Sequence, residues 1–246
     1  MFHFFTKKKY LVDYLGKFVD IHNHILPGID DGAQNLEESM ALIRGFGEMG
    51  ISSFIATPHI LPPLYPNSPE SIGEAHQQLM DHLMDRQMTH VAIEPAAEHM
   101  IDDTFEDRLE QGAIMPLRKK YLLVEMSYLQ PSLNFQDAIQ KIAKKRLIPI
   151  LAHPERYLYL HQRPEKYRQY KEQGILFQLN MLSLGGYYGP GVQDAAHFLL
   201  EEGYYDFLAT DAHNTRHLKA LSEIRVTRKE MDLLFEVIHL TLHSFL

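Results

Sequence analysis

Seven short apolar runs alternate with amphipathic stretches from Phe18 onward, and that alternation restricts the fold more than any other feature of the sequence. Residues 17–21, 51–57, 91–97, 120–124, 147–152, 175–179 and 206–210 read as strands. Helix signals lie between them. Asn35 is an N-cap with Glu38 at the capping-box position, Leu36, Met40, Ile43 and Phe46 share one face, and Gly50 is the stop. Ser68-Pro69-Glu70 starts a second helix that runs to about Met88. Residues 134–146, a segment from Arg163-Pro164, and 190–202 read as further helices, and 217–246 as one or two closing ones. The proline-rich stretch 60–67 reads as irregular. Seven strands alternating with helices imply a parallel sheet. At 246 residues the expected fold is α/β, a single-domain distorted (β/α)7 barrel, with an open doubly wound sheet as the alternative. The domain is expected over 17–246, with 1–16 as a short arm outside it.

The polar residues at the strand ends carry the chemistry. His22 and His24 are two residues apart and point to one face of an extended chain. His59, Glu98, Glu125, His153, and Asp211 with His213 also stand at or just past strand ends. In a parallel barrel those ends share one rim, where active sites are built. Glu94 shares a strand face with Glu98 and is its rival, as Asp30 is for Asp31. The chain has no cysteine, which excludes disulfides, thiolate ligands and a cysteine nucleophile. Imidazole and carboxylate ligands without sulfur suit Mn, Fe, Zn or Mg. Five histidines and four carboxylates, counting Asp31, exceed what one ion needs and suit a cluster of two or three. Such a cluster attracts a phosphate dianion and generates hydroxide near neutral pH for attack on phosphorus. Arg156, three residues past His153, supplies a bidentate phosphate clamp. The net charge of −8 and the shortness of the basic runs argue against nucleic acid as a partner. No run is long and apolar enough to span a bilayer, and the N-terminus places its aromatics before its lysines, the reverse of a secretory signal, so a cytoplasmic location is expected.

The segments Asp20-Ile-His-Asn-His-Ile-Leu-Pro-Gly-Ile-Asp-Asp-Gly32, Ala56-Thr-Pro-His59, Leu151-Ala-His-Pro-Glu-Arg-Tyr157 and Thr210-Asp-Ala-His-Asn214 resemble the motifs of the polymerase and histidinol phosphatase (PHP) superfamily. The resemblance is strongest to its bacterial protein-tyrosine phosphatase branch, associated with capsular and exopolysaccharide synthesis. It implies a distorted (β/α)7 barrel with three divalent ions, typically manganese. By motif, His22, His24, Glu98 and Asp211 would hold one ion. Glu98, Glu125 and His153 would hold a second, and Asp31, His59 and His213 a third. Arg156 would bind the substrate phosphate, with Arg216 as a further phosphate contact and His59 or His213 as proton relays. The implied substrate is phosphotyrosine on a membrane-associated tyrosine autokinase. A small-molecule phosphomonoesterase, such as a histidinol phosphatase, and a non-catalytic scaffold of the export machinery are the alternatives. The loop 60–67 and the stretch Leu182-Ser-Leu-Gly-Gly-Tyr-Tyr-Gly189 are expected to rim the site.

Overall fold

The computed structural model describes residues 9–246. From the N-terminus its strands are β1 (Lys9–Tyr10), β2 (Val19–Asp20), β3 (Ser53–Ala56), β4 (His59–Ile60), β5 (Ala92–Pro95) and β6 (Glu98–Met100). They continue as β7 (Tyr121–Glu125), β8 (Ile148–Ala152), β9 (Leu176–Asn180), β10 (Phe207–Ala209) and β11 (Arg225–Val226). The first helices are α1 (Leu36–Glu48), α2 (Pro69–Asp85), α3 (Phe105–Gln111), α4 (Phe135–Lys144) and α5 (Pro164–Glu172). After them come α6 (Met181–Leu184), α7 (Pro190–Glu201), α8 (Thr215–Ser222) and α9 (Arg228–Phe245).

Two parallel sheets form the body, one in the order β2-β3-β5 and the other in the order β10-β9-β8-β7-β6-β4. The second and third expected strands, 51–57 and 91–97, are shortened to β3 and β5, and each is followed after a break by a further short strand, β4 and β6, in the other sheet. Prolines mark both breaks. Pro58 follows β3 and Pro95 ends β5, and neither can donate to a ladder. Backbone bonds nevertheless cross the gap, from Ala96 N–H to Ala56 O at 2.8 Å and from Glu98 N–H to Pro58 O at 3.1 Å. The outer strands also meet. Asp211 N–H donates to His22 O at 2.8 Å and His24 N–H to Ala212 O at 3.0 Å.

All of β7 is buried, as are all but the first residues of β8 and β9, which is the burial expected of parallel strands covered on both faces. One buried cluster fills the space between the strands with Val19, Ile21, Ile55, Leu123, Ile150 and Ala209. Phe245, on the last turn of α9, joins it and packs against Tyr121 and Phe207 at 5.2 and 5.0 Å between ring centroids. Those two residues begin β7 and β10, so α9 closes the amino ends of the strands and leaves the carboxyl ends open. A second cluster joins the outer faces to the helices.

Several local expectations are adjusted. The Asn35 side chain caps α1, accepting from Glu38 N–H at 3.0 Å, but Glu38 reaches Gln34 N–H rather than Asn35. The capping box appears instead at Ser68 with Ser71, and α2 ends at Asp85, short of Met88. Ile60, the first residue of the stretch expected to be irregular, joins His59 in β4, and Leu61 and Tyr65 exchange two backbone bonds across a tight loop. The segment 217–246 lies on α8, β11 and α9. The largest correction concerns the expected arm. Residues 1–8 lie outside the described residues, but β1 pairs antiparallel with β11, and Leu11 and Leu15 are fully buried in the outer cluster. Their side chains have an apolar surface to cover, supplied by elements from the far end of the sequence, so 9–16 belong to the fold.

Leu15→Ala is expected to cost about 2–5 kcal/mol, the usual range for a fully buried leucine. Urea unfolding of the variant measures it, and a loss below about 0.5 kcal/mol would return this segment to the status of a surface arm.

Candidate metal centre

The open carboxyl ends carry the site. His22 and His24 follow β2, Glu125 ends β7, His153 follows β8, and Asp211 and His213 follow β10. His59 and Glu98 open β4 and β6 just beyond the two breaks. His153 and Asp211 have φ values of 35° and 51°, a left-handed backbone that non-glycine residues adopt only where the surroundings enforce it. At both positions the turn swings a side chain from the strand end into the centre.

Glu98 is the hub. Its Oε2 lies 3.2 Å from His22 Nε2, 3.0 Å from His59 Nδ1 and 3.8 Å from His24 Nε2, and its Oε1 lies 3.1 Å from His153 Nε2. Asp211 Oδ1 lies 3.4 Å from His22 Nε2 and 3.2 Å from His24 Nε2. Glu125 Oε1 lies 3.0 Å from His59 Nδ1. Asp31 Oδ1 lies between His59 Nε2 and His213 Nε2, at 3.4 and 3.5 Å. All nine expected ligands are thus brought together. They fall into four overlapping groups of donor atoms: His24 with Asp31, His59 and His213; His22 with His24 and Asp211; His22 with Glu98 and His153; His59 with Glu98 and Glu125. The grouping differs in detail from the expected sets, since His24 also faces the third group and His59, rather than His153, stands beside Glu125.

Surrounding hydrogen bonds orient the imidazoles. His22 Nδ1 meets Gln178 Oε1 at 2.9 Å, and Gln178 is itself fixed by its amide N–H to Leu179 O. His24 Nδ1 meets Asp30 Oδ2 at 2.7 Å, and His213 Nδ1 meets Asp211 O at 2.9 Å. In each case a proton on Nδ1 leaves the Nε2 lone pair directed inward. Yet His22 Nε2, His24 Nε2, His59 Nδ1, Glu98 Oε2 and Glu125 Oε1 are buried without a hydrogen bond. They approach one another closely at angles that do not make one. Buried polar atoms are costly in that state, and convergent nitrogen and oxygen lone pairs of this kind fit divalent cations.

The electrostatics agree. Burial raises the Glu98 carboxyl, but the imidazoles of His22 and His59 and the bond from His153 outweigh it and hold the group well below the usual carboxylate range. Asp211 is likewise held well below that range, where His22 and His213 overcome burial. Burial lowers His24, yet Asp30 and Asp211 carry it up to about 10. The centre is therefore a set of anions and imidazoles that stabilise positive charge.

The supporting residues are those the sequence reasoning missed. Asp30, the rival of Asp31, holds His24 Nδ1, the Gly32 N–H at 2.8 Å and the His59 N–H at 3.1 Å. It orients the His24 imidazole and anchors the His59 backbone, while Asp31 lines the cavity. Glu94 points outward and pairs with Arg118 at 2.8 Å. Asp20, fully buried, accepts from Thr210 N–H at 2.9 Å and from the Thr210 hydroxyl at 2.6 Å. Burial outweighs those bonds and lifts its carboxyl to about 6. The sixth expected strand had no ligand assigned, but Gln178 and Asn180 on it hold His22 and Asp211, Asn180 Nδ2 donating to Asp211 Oδ2 at 2.9 Å. Their alternation along that strand repeats the His22–His24 spacing and was the available signal.

Arg156 donates to Asp211 Oδ2 at 2.6 Å, and its guanidinium lies 4.1 Å from the Tyr188 ring centroid and 4.7 Å from that of Tyr128. Its neighbour Glu155 points away and accepts from Asn180 N–H, the Ser183 hydroxyl and the Tyr205 hydroxyl. Arg216 is exposed on α8 and does not line the cavity. Its neighbour His217, also outside the cavity lining, accepts from His213 N–H through Nδ1 at 3.3 Å, and burial draws it down to about 4. A cavity of about 1030 Å³ opens over the centre, lined by Asp31, His59, Glu125, His153, Arg156, Asp211 and His213. Leu61, Leu64 and Tyr65 from the proline-rich loop form part of its wall, whereas 182–189 does not line it and contributes Tyr188 behind Arg156.

Comparison with known proteins gives a consistent picture. The profile of the CpsB/CapC family, described as capsular polysaccharide synthesis, matches residues 18–230. The tyrosine-protein phosphatase YwqE of Bacillus subtilis (strain 168) is 31% identical over 215 residues, covering 86% of this chain and 84% of the relative. The tyrosine-protein phosphatase CpsB of Streptococcus agalactiae serotype V is 26% identical over 202 residues, covering 80% and 83%. Among solved structures, one from work on YwqE of Bacillus subtilis and CpsB of Streptococcus pneumoniae, described as unique metal-dependent tyrosine phosphatases, superposes with a TM-score of 0.78. It has 28% identity and covers 91% of this chain and 90% of that one.

A Cβ at Gly32 would stand 2.2 Å from His24 O and 2.4 Å from His24 Cβ. Gly32→Ala must therefore displace the Asp30–Asp31 corner, and Asp30→Ala removes its anchor. Both variants are expected to bind divalent metal about 10- to 100-fold more weakly than wild type, as read by titration with Mn²⁺ and by elemental analysis. Unchanged affinity in both would show that Asp30 does not orient the centre.

Proposed function

We infer the activity from family membership: the chain belongs to the CpsB/CapC capsular polysaccharide synthesis family, and we read it as a metal-dependent protein-tyrosine phosphatase. The observation that carries the reading is the convergence of buried, unpartnered histidine and carboxylate atoms beneath an open cavity that also holds a guanidinium. The relatives named as tyrosine-protein phosphatases, and the described metal dependence of the solved neighbour, support it.

His22, His24, Glu98 and Asp211 would hold one ion, Glu98, Glu125 and His153 a second, and Asp31, His59 and His213 a third, with manganese the expected metal and Fe, Zn or Mg accepted by the same donors. Divalent cations bound there supply Lewis acidity for the phosphate oxygens and activate water near neutral pH. The protein's own part is to position and neutralise. Arg156, fixed by Asp211 and flanked by Tyr128 and Tyr188, presents its remaining N–H groups to a phosphate as a flat fork. His59 and His213 line the cavity and are 12% and 14% exposed at their side chains, so whichever of them does not ligate an ion through Nε2 is the candidate proton relay between the site and solvent. The leaving tyrosine has a pKa near 10 as a phenol, so it departs with little protonation.

The substrate in this reading is phosphotyrosine on a protein of capsule or exopolysaccharide synthesis, a membrane-associated tyrosine autokinase, met from the cytoplasm. Among the described residues no helix is long and apolar enough to cross a membrane. The same reading takes the two sheets as one distorted (β/α)7 barrel, interrupted at Pro58 and Pro95. The backbone bonds across that gap, and those between Asp211, His22, His24 and Ala212, support it. One phosphatase domain then spans 17–246, with 9–16 packed on it.

Protein purified without added metal is expected to carry divalent transition metal by elemental analysis, and to hydrolyse a phosphotyrosyl peptide in preference to histidinol phosphate. Chelation is expected to abolish turnover and added Mn²⁺ to restore it. Metal-free protein with undiminished turnover would refute the reading. Arg156→Ala is expected to lower kcat/KM by about 100-fold while leaving metal content intact. An Arg156→Ala variant as active as wild type would remove this residue from phosphate binding.

A further inference from the structure

The metal ligands form the floor of the cavity and leave its walls without an assigned role. Tyr65 and Tyr128 are the two tyrosines in the lining, and each lies against one of the ligand histidines. The Tyr65 ring stacks on His59 with centroids 5.6 Å apart and planes 12° apart. The Tyr128 ring stacks on His153 at 5.7 Å and 29°. Those two imidazoles reach opposite oxygens of Glu98, His59 Nδ1 at Oε2 and His153 Nε2 at Oε1. The tyrosines therefore approach the same carboxylate from two sides. Tyr65 comes from the proline-rich loop after β4 and Tyr128 from the loop after β7.

Both rings are held. Leu61 and Tyr65 exchange backbone bonds of 2.9 and 2.7 Å, and Pro62, Pro63 and Pro66 restrict the loop between and beyond them. Tyr128 carries the Arg156 guanidinium 4.7 Å from its ring centroid, and its hydroxyl lies 3.4 Å from His153 Nε2. Tyr128 nevertheless remains 41% exposed, so part of it is free to meet a ligand. Aromatic surface fixed in this way loses little freedom when a ligand arrives.

We propose that Tyr65 and Tyr128 form an aromatic slot that receives the phenyl ring of the substrate and selects aryl phosphates over alkyl phosphates. The proposal rests on the phosphatase reading above and extends it to the part of the substrate beyond phosphorus. A phosphoryl group held by the ligand cluster and Arg156 must direct its ester oxygen into the cavity. In phosphotyrosine the next atoms are a flat ring, which gains from edge or offset contacts with the parts of the two tyrosines that His59, His153 and Arg156 leave uncovered. In phosphoserine the next atom is a methylene, which leaves the uncovered parts of both tyrosines in water. The slot thus supplies binding that depends on the leaving group and is independent of the phosphate.

Non-hydrolysable ligands test this without involving turnover. Benzylphosphonate and ethylphosphonate carry the same anionic head, one on a ring and one on an alkyl group. Calorimetric titration of both is made into the Mn²⁺-loaded protein and its Tyr65→Leu, Tyr65→Phe and Tyr128→Phe variants. Wild type is expected to favour benzylphosphonate. Tyr65→Leu is expected to reduce that preference about 3- to 10-fold with the ethylphosphonate affinity unchanged, and the two Phe variants, which keep their rings, to retain it. Equal weakening of both ligands by Tyr65→Leu, or an unchanged preference, would overturn the slot. Turnover of a phosphotyrosyl peptide by wild type is read alongside. Failure there with the ligand preference intact would remove the activity reading and leave the slot standing.

Discussion

The Glu98 carboxylate is the constraint on which the rest of the site depends. It is fully buried, and a buried anion is tolerated only among groups that answer its charge. Its two oxygens face imidazoles from three other strands or strand ends, His22, His59 and His153. No local sequence could supply those partners. The parallel arrangement does so by bringing the carboxyl ends of distant strands to one place. The break at Pro95 matters here, because it lets the chain leave the sheet of β2, β3 and β5 and begin β6 with Glu98 already inside.

Around that hub a second ring of groups decides which atom each ligand offers. Gln178, Asp30 and the Asp211 carbonyl take one nitrogen of His22, His24 and His213 and so leave the other for the centre. Asp211 divides its oxygens in the same manner, Oδ1 toward the histidines and Oδ2 toward Arg156 and Asn180. One carboxylate therefore couples the position of the ligand cluster to the position of the guanidinium. A phosphate bound between them meets both in fixed register.

The convergence of these candidate ligands was legible in the sequence for a definite reason. Strand side chains alternate, and a parallel sheet puts like ends together, so polar residues closing apolar runs must share a rim. That rule found His22, His24, His59, Glu98, Glu125, His153, Asp211 and His213. It could not locate the interruptions at Pro58 and Pro95, because strand exchange depends on which neighbour accepts the ladder, and the sequence does not list neighbours. Nor could it separate Asp30 from Asp31. Both stand in the same corner, and the choice is made by Gly32, whose lack of a side chain lets the turn press against the His24 backbone. Leu11 and Leu15 were missed because the strand that anchors this segment, β11, and the Leu11 backbone partner Ile224 lie more than two hundred positions later. Tyr128 and Tyr188 lie in loops, where periodicity carries no information and only the fold brings them to Arg156.

The bond between Asp20 and Thr210 spans 190 positions of sequence. Contacts of that reach form late, since the intervening chain must already be compact before closing it costs little entropy. Until it forms, one grouping of the centre is divided, with His22 and His24 after the first strand and Asp211 after the last. Neither half alone has enough donors to grip an ion in the grouping His22, His24 and Asp211. An ion bound by His22, His24 and Asp211 would oppose the parting of the first and last strands, so its binding would be coupled to the closure of the fold there.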